Sequence, residues 1–470
     1  MPDTASIQKT LRFAAKQAVK RIYAWAPSTW RYGSTFFSKC REAEAREHWT
    51  AEQFTAWQEE HLQRLVHHAY AHVPYYHILF DRIGLLPEEI RHPADLARIP
   101  PLSKDDLRTH FAELTATNLP KKEMTLHSTS GTSGRPLRFY SERRHETYLD
   151  GDAYRWRHFR WGGCTPDDLR ATLSARRLPA RHNGQRRLTL YEPLFPLLIL
   201  SAYDLSHATI AHYARALERY RPPFLHGFPS ALEALTRLLE SEHIAPPAPV
   251  QAIFTQSEVL YPWQRERIGA YFGCKIFDWY GMEERVIAAA ECEHHDGLHV
   301  FPDYCIVEVV DANLQATSNT GEILSTRLDN LAMPLLRYRT GDVGQLITAP
   351  CGCGRSMSRL KLGGGRDRNF LVTRDGGLIS VTIVDIPHAT EHIEQFQFVQ
   401  QVPGAVTLKI IKTSQFGDKD LAQVHQDLEE KFGRAVDVTL EFTDHIERTA
   451  RGKLPLLVQK LNLDPAAPAH

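Results

Sequence analysis

The chain has no surplus of either charge: 56 Lys and Arg stand against 56 Asp and Glu. That balance removes the overall basic footprint of a nucleic-acid-binding protein, and no nucleic-acid partner is expected. Cysteine is sparse, with seven residues in 470, an odd number spread along the chain. This excludes a disulfide scaffold and points to a reduced, cytoplasmic setting. No apolar run approaches the ~18–20 residues that a membrane-spanning helix needs. The longest, Leu194 to Leu200, is broken by Pro196. Internal repeats, low-complexity tracts and a secretory-type cleavage site are also missing.

What is present is ordinary for a globular protein, with 43% hydrophobic and 24% charged residues. At this length one core is too few, so two or more domains are expected. The first 45 residues differ in kind. Lys9, Arg12, Lys16, Lys20 and Arg21 face one acid, Asp3, while Leu11, Ala15, Val19, Ile22 and Trp25 recur at helical spacing. Such a basic amphipathic helix suits either contact with an anionic membrane or a partner, or packing on the main domain.

Helical patterning dominates residues 41–120. Phe54, Trp57, Leu62, Leu65 and Val66 follow a helical period that Pro74 ends. Ser103 precedes Lys104-Asp105-Asp106 as a helix cap followed by acids in the first turn. From about 125 onward short apolar strands alternate with helices. Helices are expected at 208–220, 230–240 and 262–272, with strands at 252–255 and 275–278; this is an α/β arrangement. Strands follow at 304–310, 321–326 and 343–347. Gly363-Gly364-Gly365 is the hinge candidate, and the segment after it carries both β and α patterning.

The most informative stretch is Ser128-Thr129-Ser130-Gly131-Thr132-Ser133-Gly134-Arg135-Pro136. Its glycines let the backbone approach an anion, and its hydroxyls and N–H groups can donate to phosphate oxygens. Its glycine spacing is not that of a Walker loop.

This loop resembles the signature of the adenylate-forming superfamily, and further motifs appear in that family's order. Asp278-Trp279-Tyr280-Gly281-Met282-Glu283-Glu284 resembles its aromatic-Gly-x-Thr/Ser-Glu element, with Glu283 in place of the usual hydroxyl residue. Tyr338-Arg339-Thr340-Gly341-Asp342 and Gly365-Arg366 match two more elements, although Asp367-Arg368-Asn369 lacks the hinge acid often found there. Lys453, within Glu447–Lys453, stands at the position of the family's C-terminal lysine. Arg64-Leu65-Val66-His67-His68-Ala69-Tyr70-Ala71-His72-Val73-Pro74-Tyr75-Tyr76, Pro101–Leu107, His226-Gly227-Phe228-Pro229-Ser230 and Gln256-Ser257-Glu258 resemble the phenylacetate–CoA ligase-like group, including its capsule-biosynthesis branch. The resemblance spans about residues 45–460.

The resemblance implies a large N-terminal domain with β-sheets flanked by helices and a small mobile α+β domain. The expected boundaries are 1–45 for the extension, 46–364 for the ATP- and acid-binding domain and 365–470 for the small domain. It implies that Ser128, Thr129, Ser130, Gly131, Thr132, Ser133 and Gly134 hold phosphates. Glu284 would help hold Mg²⁺, which commonly takes one or two carboxylates plus phosphate oxygens. Ser257, Glu258, Asp278, Trp279, Tyr280, Gly281 and Met282 would surround the adenine, and Asp342 the ribose. Lys453 and Arg366 would act in catalysis. Tyr140, His226, Gly227 and Phe228 would line the acid pocket.

Cys351-Gly352-Cys353-Gly354 has the form of a metal knuckle, and some relatives carry a Cys/His zinc site. The expected ligands are Cys292, His299, Cys351 and Cys353, with His294 or His295 as alternatives to His299; four such ligands suit structural zinc. The expected activity is ATP-dependent activation of a carboxylic acid as acyl-AMP, followed by transfer to coenzyme A. An aromatic acid is one reading. Transfer to an amine or carrier protein without coenzyme A is an alternative, as is a non-catalytic binding protein with this fold. A homodimer is also expected.

Overall fold

The computed structural model describes residues 26–128, 137–143, 153–174, 178, 186–202, 204–246, 249–363, 370–374, 378–381, 392–433, 435–446 and 456–461. The chain divides into two compact units, one of residues 1–125 with 140–363 and one of residues 126–139 with 364–470. The basic stretch 1–25 lies outside the described residues. The later part of the expected extension does not stand apart: helix α1 (Ser34–Arg46) buries Phe36 and Ala43 in the first unit.

Helix α2 (Ala51–His72) starts where the sequence predicts. Thr50 and Gln53 form a reciprocal cap, at 2.9 Å and 3.3 Å. Phe54, Leu62, Leu65, Val66 and Ala69 point inward. Pro74 does not simply end it; it opens a further helix, Pro74–Ile83, at the first position, where the missing N–H costs nothing. Ser103 caps Lys104–Thr109, its hydroxyl accepting from Asp106 N at 3.0 Å.

Strands β1 (Met124–Ser128) and β2 (Arg138–Glu142) pair with each other, flanking residues 129–136. Then follow β3 (Arg170–Ser174), β4 (Thr189–Glu192), β5 (Leu197–Ser201), β6 (Phe224–Gly227), β7 (Ala252–Gln256), β8 (Lys275–Gly281) and β9 (Ala288–Glu291). Next come β10 (Leu298–Val300), β11 (Cys305–Val310), β12 (Gly321–Arg327), β13 (Tyr338–Ile347) and β14 (Arg359–Leu362). Among the described residues, β3 to β14 form one sheet of twelve strands in the order β11-β12-β13-β14-β10-β9-β8-β7-β6-β3-β5-β4.

Five of its strands are parallel, from β8 through β7, β6 and β3 to β5, with β4 antiparallel at the edge. The other half, β9 to β14, is antiparallel. Parallel strands need helical crossovers and are buried on both faces. Helix α3 (Ala153–Trp161) and α1 cover one face, where Phe36, Trp156 and Phe159 meet Phe224, Phe254 and Phe277. Helices α4 (Ile210–Tyr220), α5 (Pro229–Ser241) and α6 (Pro262–Phe272) cover the other, over Leu225, Ile253 and Ile276. Proline at the first turn of α5 and α6 fits its fixed φ.

In the second unit β15 (Phe370–Val372) pairs with β16 (Leu378–Ser380). A four-stranded sheet joins β17 (Ile393–Val402), β18 (Ala405–Lys412), β19 (Asp437–Phe442) and β20 (Leu457–Gln459) in the order β19-β18-β17-β20. Helix α7 (Asp418–Phe432) packs Val424, Leu428 and Phe432 against Phe396, Phe398 and Leu408.

One buried ion pair ties the first unit together. Both Arg157 and Asp303 side chains are fully enclosed, and the guanidinium donates to both carboxylate oxygens at 2.9 Å and 2.8 Å. It also donates to Ala43 O at 2.7 Å, holding α1 to α3. Removing one partner strands a buried charge, which costs about 3–5 kcal/mol. Arg157→Ala is therefore expected to lower the unfolding free energy by about that amount in urea titration. A loss below ~1 kcal/mol would mean that Asp303 finds water or another cation.

Candidate adenylate site and metal cluster

Two motif segments lie side by side in the first unit. The Tyr280 hydroxyl donates to Asp342 Oδ2 at 2.9 Å, and the Tyr338 hydroxyl donates to Glu284 Oε1 at 2.9 Å. Each tie is four residues from the other along both segments, in opposite senses, so 280–284 runs antiparallel to 338–342.

A β-bulge aims Asp342. In the β12–β13 pairing Glu322 faces Val343 and Leu324 faces Arg339, so three residues, 340–342, stand opposite Ile323 alone. Gly341 makes this possible with φ +81°, a left-handed conformation that glycine adopts without strain. Thr340 closes the bulge: its hydroxyl donates to Ile323 O at 2.8 Å and accepts from Asp342 N at 3.1 Å. Bulges often re-aim side chains beside functional sites. The Thr-Gly-Asp triplet thus has a local reason for each residue type.

Glu284 is a buried carboxylate, 5% exposed, with Lys104 Nζ 3.7 Å away. Lys104 arrives because Leu102 bridges to Tyr338 and exchanges backbone hydrogen bonds with Arg337 and Arg339, at 3.1 Å and 2.9 Å. The sequence offered Lys104 as part of a helix start and of the Pro101–Leu107 stretch, with no role of its own; its place beside Glu284 depends on a pairing between residues more than two hundred positions apart.

Asp278 sits one strand position before this segment, on the face covered by α5 and α6. Its Oδ1 accepts from Thr255 Oγ1 at 2.7 Å, and its backbone N–H donates to Glu291 at 3.0 Å. Burial pushes its carboxyl up to about 7, with the charge of Glu291 adding to the effect. Burial also pushes Glu291 up, but His295 and the bidentate Arg265, at 2.8 Å, hold it below its ordinary value. Asp278 therefore carries the pair's proton near neutrality.

The remaining expected residues are distributed around these ties. Trp279 lies on the opposite face with Arg155, whose guanidinium carbon is 5.4 Å from its ring centre. A Cβ at Gly281 would come within 2.7 Å of the Trp279 indole nitrogen, so a larger residue there would have to displace the indole. Met282 O accepts from Arg285 N at 2.9 Å, turning the chain through Glu283 and Glu284. Ser257 holds φ +68° just after β7. Glu258 caps α5, accepting from Ser230 N and Oγ at 3.0 Å each.

His226 is buried on β6 between Thr172 and Gln256. Burial, then the charges of Arg155 and Arg170, hold it well below the ordinary histidine value, so it is neutral. Phe228 packs at the margin of the α4–α6 core and Gly227 lies against Leu173. Tyr140 packs on Phe111 and under Lys121, with Asn330 donating to its carbonyl at 3.0 Å. Ser128 ends β1. Thr129, Ser130, Gly131, Thr132, Ser133, Gly134, Arg366 and Lys453 lie outside the described residues.

The cysteines expected to bind metal converge. Ligand atoms of Cys292, His299, Cys351 and Cys353 all lie within 4.8 Å of one another. Cys292 Sγ and Cys351 Sγ are 3.7 Å apart, and Cys353 Sγ is 3.4 Å from His299 Nε2. A tetrahedral zinc site with its usual bond lengths has S···S edges of about 3.8 Å and S···N edges of about 3.6 Å. His299 Nδ1 faces Met357 O at 3.1 Å, which leaves Nε2 with the lone pair. His294 and His295 are not in the cluster; His295 instead faces Glu291 at 3.4 Å.

Comparison with known proteins places this geometry in context. The family description "CapK C-terminal domain" matches residues 371–460. The chain is 27% identical to phenylacetate–coenzyme A ligase of Thermus thermophilus over 364 residues, covering 73% of this chain and 78% of that protein. It is 23% identical to Protein CapK of Staphylococcus aureus over 370 residues, covering 77% and 79%. Over most of its length the chain is similar to phenylacetate–CoA ligases and to Protein CapK. The fold agrees: 2-hydroxyisobutyryl-CoA ligase, solved with 2-HIB-AMP and CoA, superposes with a TM-score of 0.60 at 22% identity, covering 88% of this chain and 91% of that one.

Within this ligase-like chain Asp278 makes a pH-dependent contribution. Its folded value of about 7 lies above the unfolded 3.8, so the stabilisation is complete below the unfolded value and is lost as pH rises through about 7. Asp278→Asn cannot ionise and should flatten the fall in unfolding free energy between about pH 5 and pH 7.5. Urea melts across that range check it; an unchanged slope would assign the titration to another group.

Proposed function

We propose that the chain activates a carboxylic acid with ATP and then transfers the acyl group to coenzyme A. The observation that carries this reading is the pairing of Tyr280 with Asp342 and of Tyr338 with Glu284, which brings two aromatic rings and two carboxylates together along one pair of segments. In the first step a carboxylate oxygen attacks the α-phosphorus, the bond to the bridging oxygen breaks and pyrophosphate leaves. In the second, a thiol sulfur attacks the acyl carbon and AMP leaves.

Each residue has a part in this scheme. Asp342 accepts from ribose hydroxyls, for which a carboxylate fixed at a bulge is suited. Tyr280 lies along the adenine, and Asp278, Trp279, Gly281, Met282, Ser257 and Glu258 shape that wall. Glu284, buried and enclosed by Tyr338 and Lys104, supplies an oxygen to Mg²⁺, which when bound offsets phosphate charge. Lys104 adds a cation beside the same phosphates. Residues 128–134 cradle the phosphates, Lys453 stabilises the charge developing at phosphorus, and Arg366 assists. His226, kept neutral, lies with Gly227, Phe228 and Tyr140 along the acid pocket. Residues 365–470 act as the small domain that brings Lys453.

Zinc at Cys292, His299, Cys351 and Cys353 is structural in this reading, because all four positions are protein ligands and none is left for a substrate. The tetrahedral edges support it. One zinc per chain is expected by metal analysis, and stripping it with a chelator should lower the thermal midpoint; metal-free protein with an unchanged midpoint would refute it. Seven free cysteines support a reducing, cytoplasmic setting. No helix among the described residues is long and apolar enough to cross a membrane.

A second reading keeps the adenylation step and has an amine or a carrier protein as the acceptor in place of coenzyme A. ATP–pyrophosphate exchange over a panel of carboxylic acids tests the first step, and product analysis with and without coenzyme A tests the second. Lys453→Ala is expected to lower exchange by about 10²–10³-fold while ATP affinity stays within about twofold. Exchange absent with every acid would make this a binding protein.

A further inference from the structure

The Cys/His cluster carries a charge that its own ligands leave unbalanced. With zinc in it, three thiolates and a neutral imidazole around a divalent ion leave one net negative charge. Cys292 and His299 are fully enclosed and Cys351 is 8% exposed, so little of that charge reaches water. A buried charge is costly unless a partner offsets it.

The thiolates are not served alike. Cys292 Sγ accepts from the backbone N–H of His294 at 3.5 Å, a neutral donor. Cys353 accepts from the backbone N–H of Arg355 and also from its side chain. Gly354 lies between them at φ +79°, and this left-handed turn lets residue 355 face back on the sulfur. Arg359 also bears on His299, but its guanidinium is engaged with Asp296 and with the carbonyls of Asp296 and Ala349, at 2.8 Å and 3.0 Å. Among the described residues, Arg355 is the cation that donates to a cluster ligand.

Arg355 is held there from three sides. Its guanidinium carbon lies 4.3 Å from the centre of the Trp161 ring, at the end of α3. Glu293 Oε2 is 3.1 Å from Nη1, and Glu47 Oε2, just after α1, is 3.8 Å from Nε. Neither acid takes the whole charge. Glu47 is already 3.7 Å from Arg157 and paired with Arg160. The Glu293 side chain is 41% exposed, where solvent screens it, whereas that of Arg355 is 15% exposed. The guanidinium therefore acts most strongly on the enclosed thiolates, where screening is least.

We infer that Arg355 is the counter-ion of the metal cluster: it donates to Cys353, offsets the third thiolate and sets how tightly zinc is kept. The inference rests on the zinc reading above and concerns a residue that is not itself a ligand. Arg355 acts through the sulfur that it bonds, and replacing such a partner typically lowers metal affinity about 10–100-fold.

Competition between the full zinc-loaded chain and a chromophoric zinc chelator tests this. Arg355→Gln should weaken zinc binding at least about tenfold. Arg355→Lys, which keeps the charge and loses the fork, should stay within about threefold of the unsubstituted chain. Glu293→Gln removes an acid beside Arg355 and leaves the cation, so zinc should be held as tightly or more so. That arm does not depend on whether Arg355→Gln folds. If Arg355 only pinned Trp161 and Glu293 to the turn, Glu293→Gln would weaken zinc too, and Arg355→Lys would be no better than Arg355→Gln. Either result, or unchanged affinity in Arg355→Gln, overturns the assignment while zinc in the unsubstituted chain still stands. An unsubstituted chain that takes up no zinc removes the zinc reading and this inference with it.

Discussion

Everything distinctive about the candidate site depends on two hydrogen bonds between the end of β8 with the turn after it and the bulged strand β13. Tyr280 with Asp342, and Tyr338 with Glu284, fasten segments more than fifty residues apart in the chain. Neither strand is the other's neighbour in the sheet; β14, β10 and β9 lie between β13 and β8. The tyrosine hydroxyls therefore do what sheet pairing cannot. The bulge at Thr340–Asp342 turns one carboxylate out of the strand's regular alternation, and Gly341 allows the backbone to do so.

Around these ties the electrostatics are arranged by burial and by fixed partners. Glu284 is enclosed by a hydroxyl and a lysine. Asp278 and Glu291 share a buried neighbourhood in which Arg265 and His295 favour the charge on Glu291, and the proton stays on Asp278. His226 is kept neutral by burial and nearby arginines.

The Cys/His cluster and the ion pair of Arg157 with Asp303 lie away from the candidate site. Cys292 follows Glu291 at the end of β9, while Cys351 and Cys353 precede β14; the cluster joins two turns at one end of the sheet. Arg157 and Asp303 join α1 and α3 to the loop before β11. Both lie on the scaffold that carries Tyr280 and Tyr338, and neither touches them.

Much was legible in the chain itself. Helices at 51–72, 210–220, 229–241 and 262–272 and strands at 252–256 and 275–281 follow from period, proline and apolar runs, because local spacing and capping decide them. The cysteine pattern named Cys292, Cys351 and Cys353, which converge with one of the three candidate histidines. Short strands such as 170–174 and 197–201 escaped notice, because four or five residues carry too little periodicity. The choice of His299 over His294 and His295, the seating of Lys104 beside Glu284 and the engagement of Glu258 with Ser230 were decided only by tertiary structure. Each depends on which distant backbone comes to lie alongside, and sequence spacing carries no record of that distance.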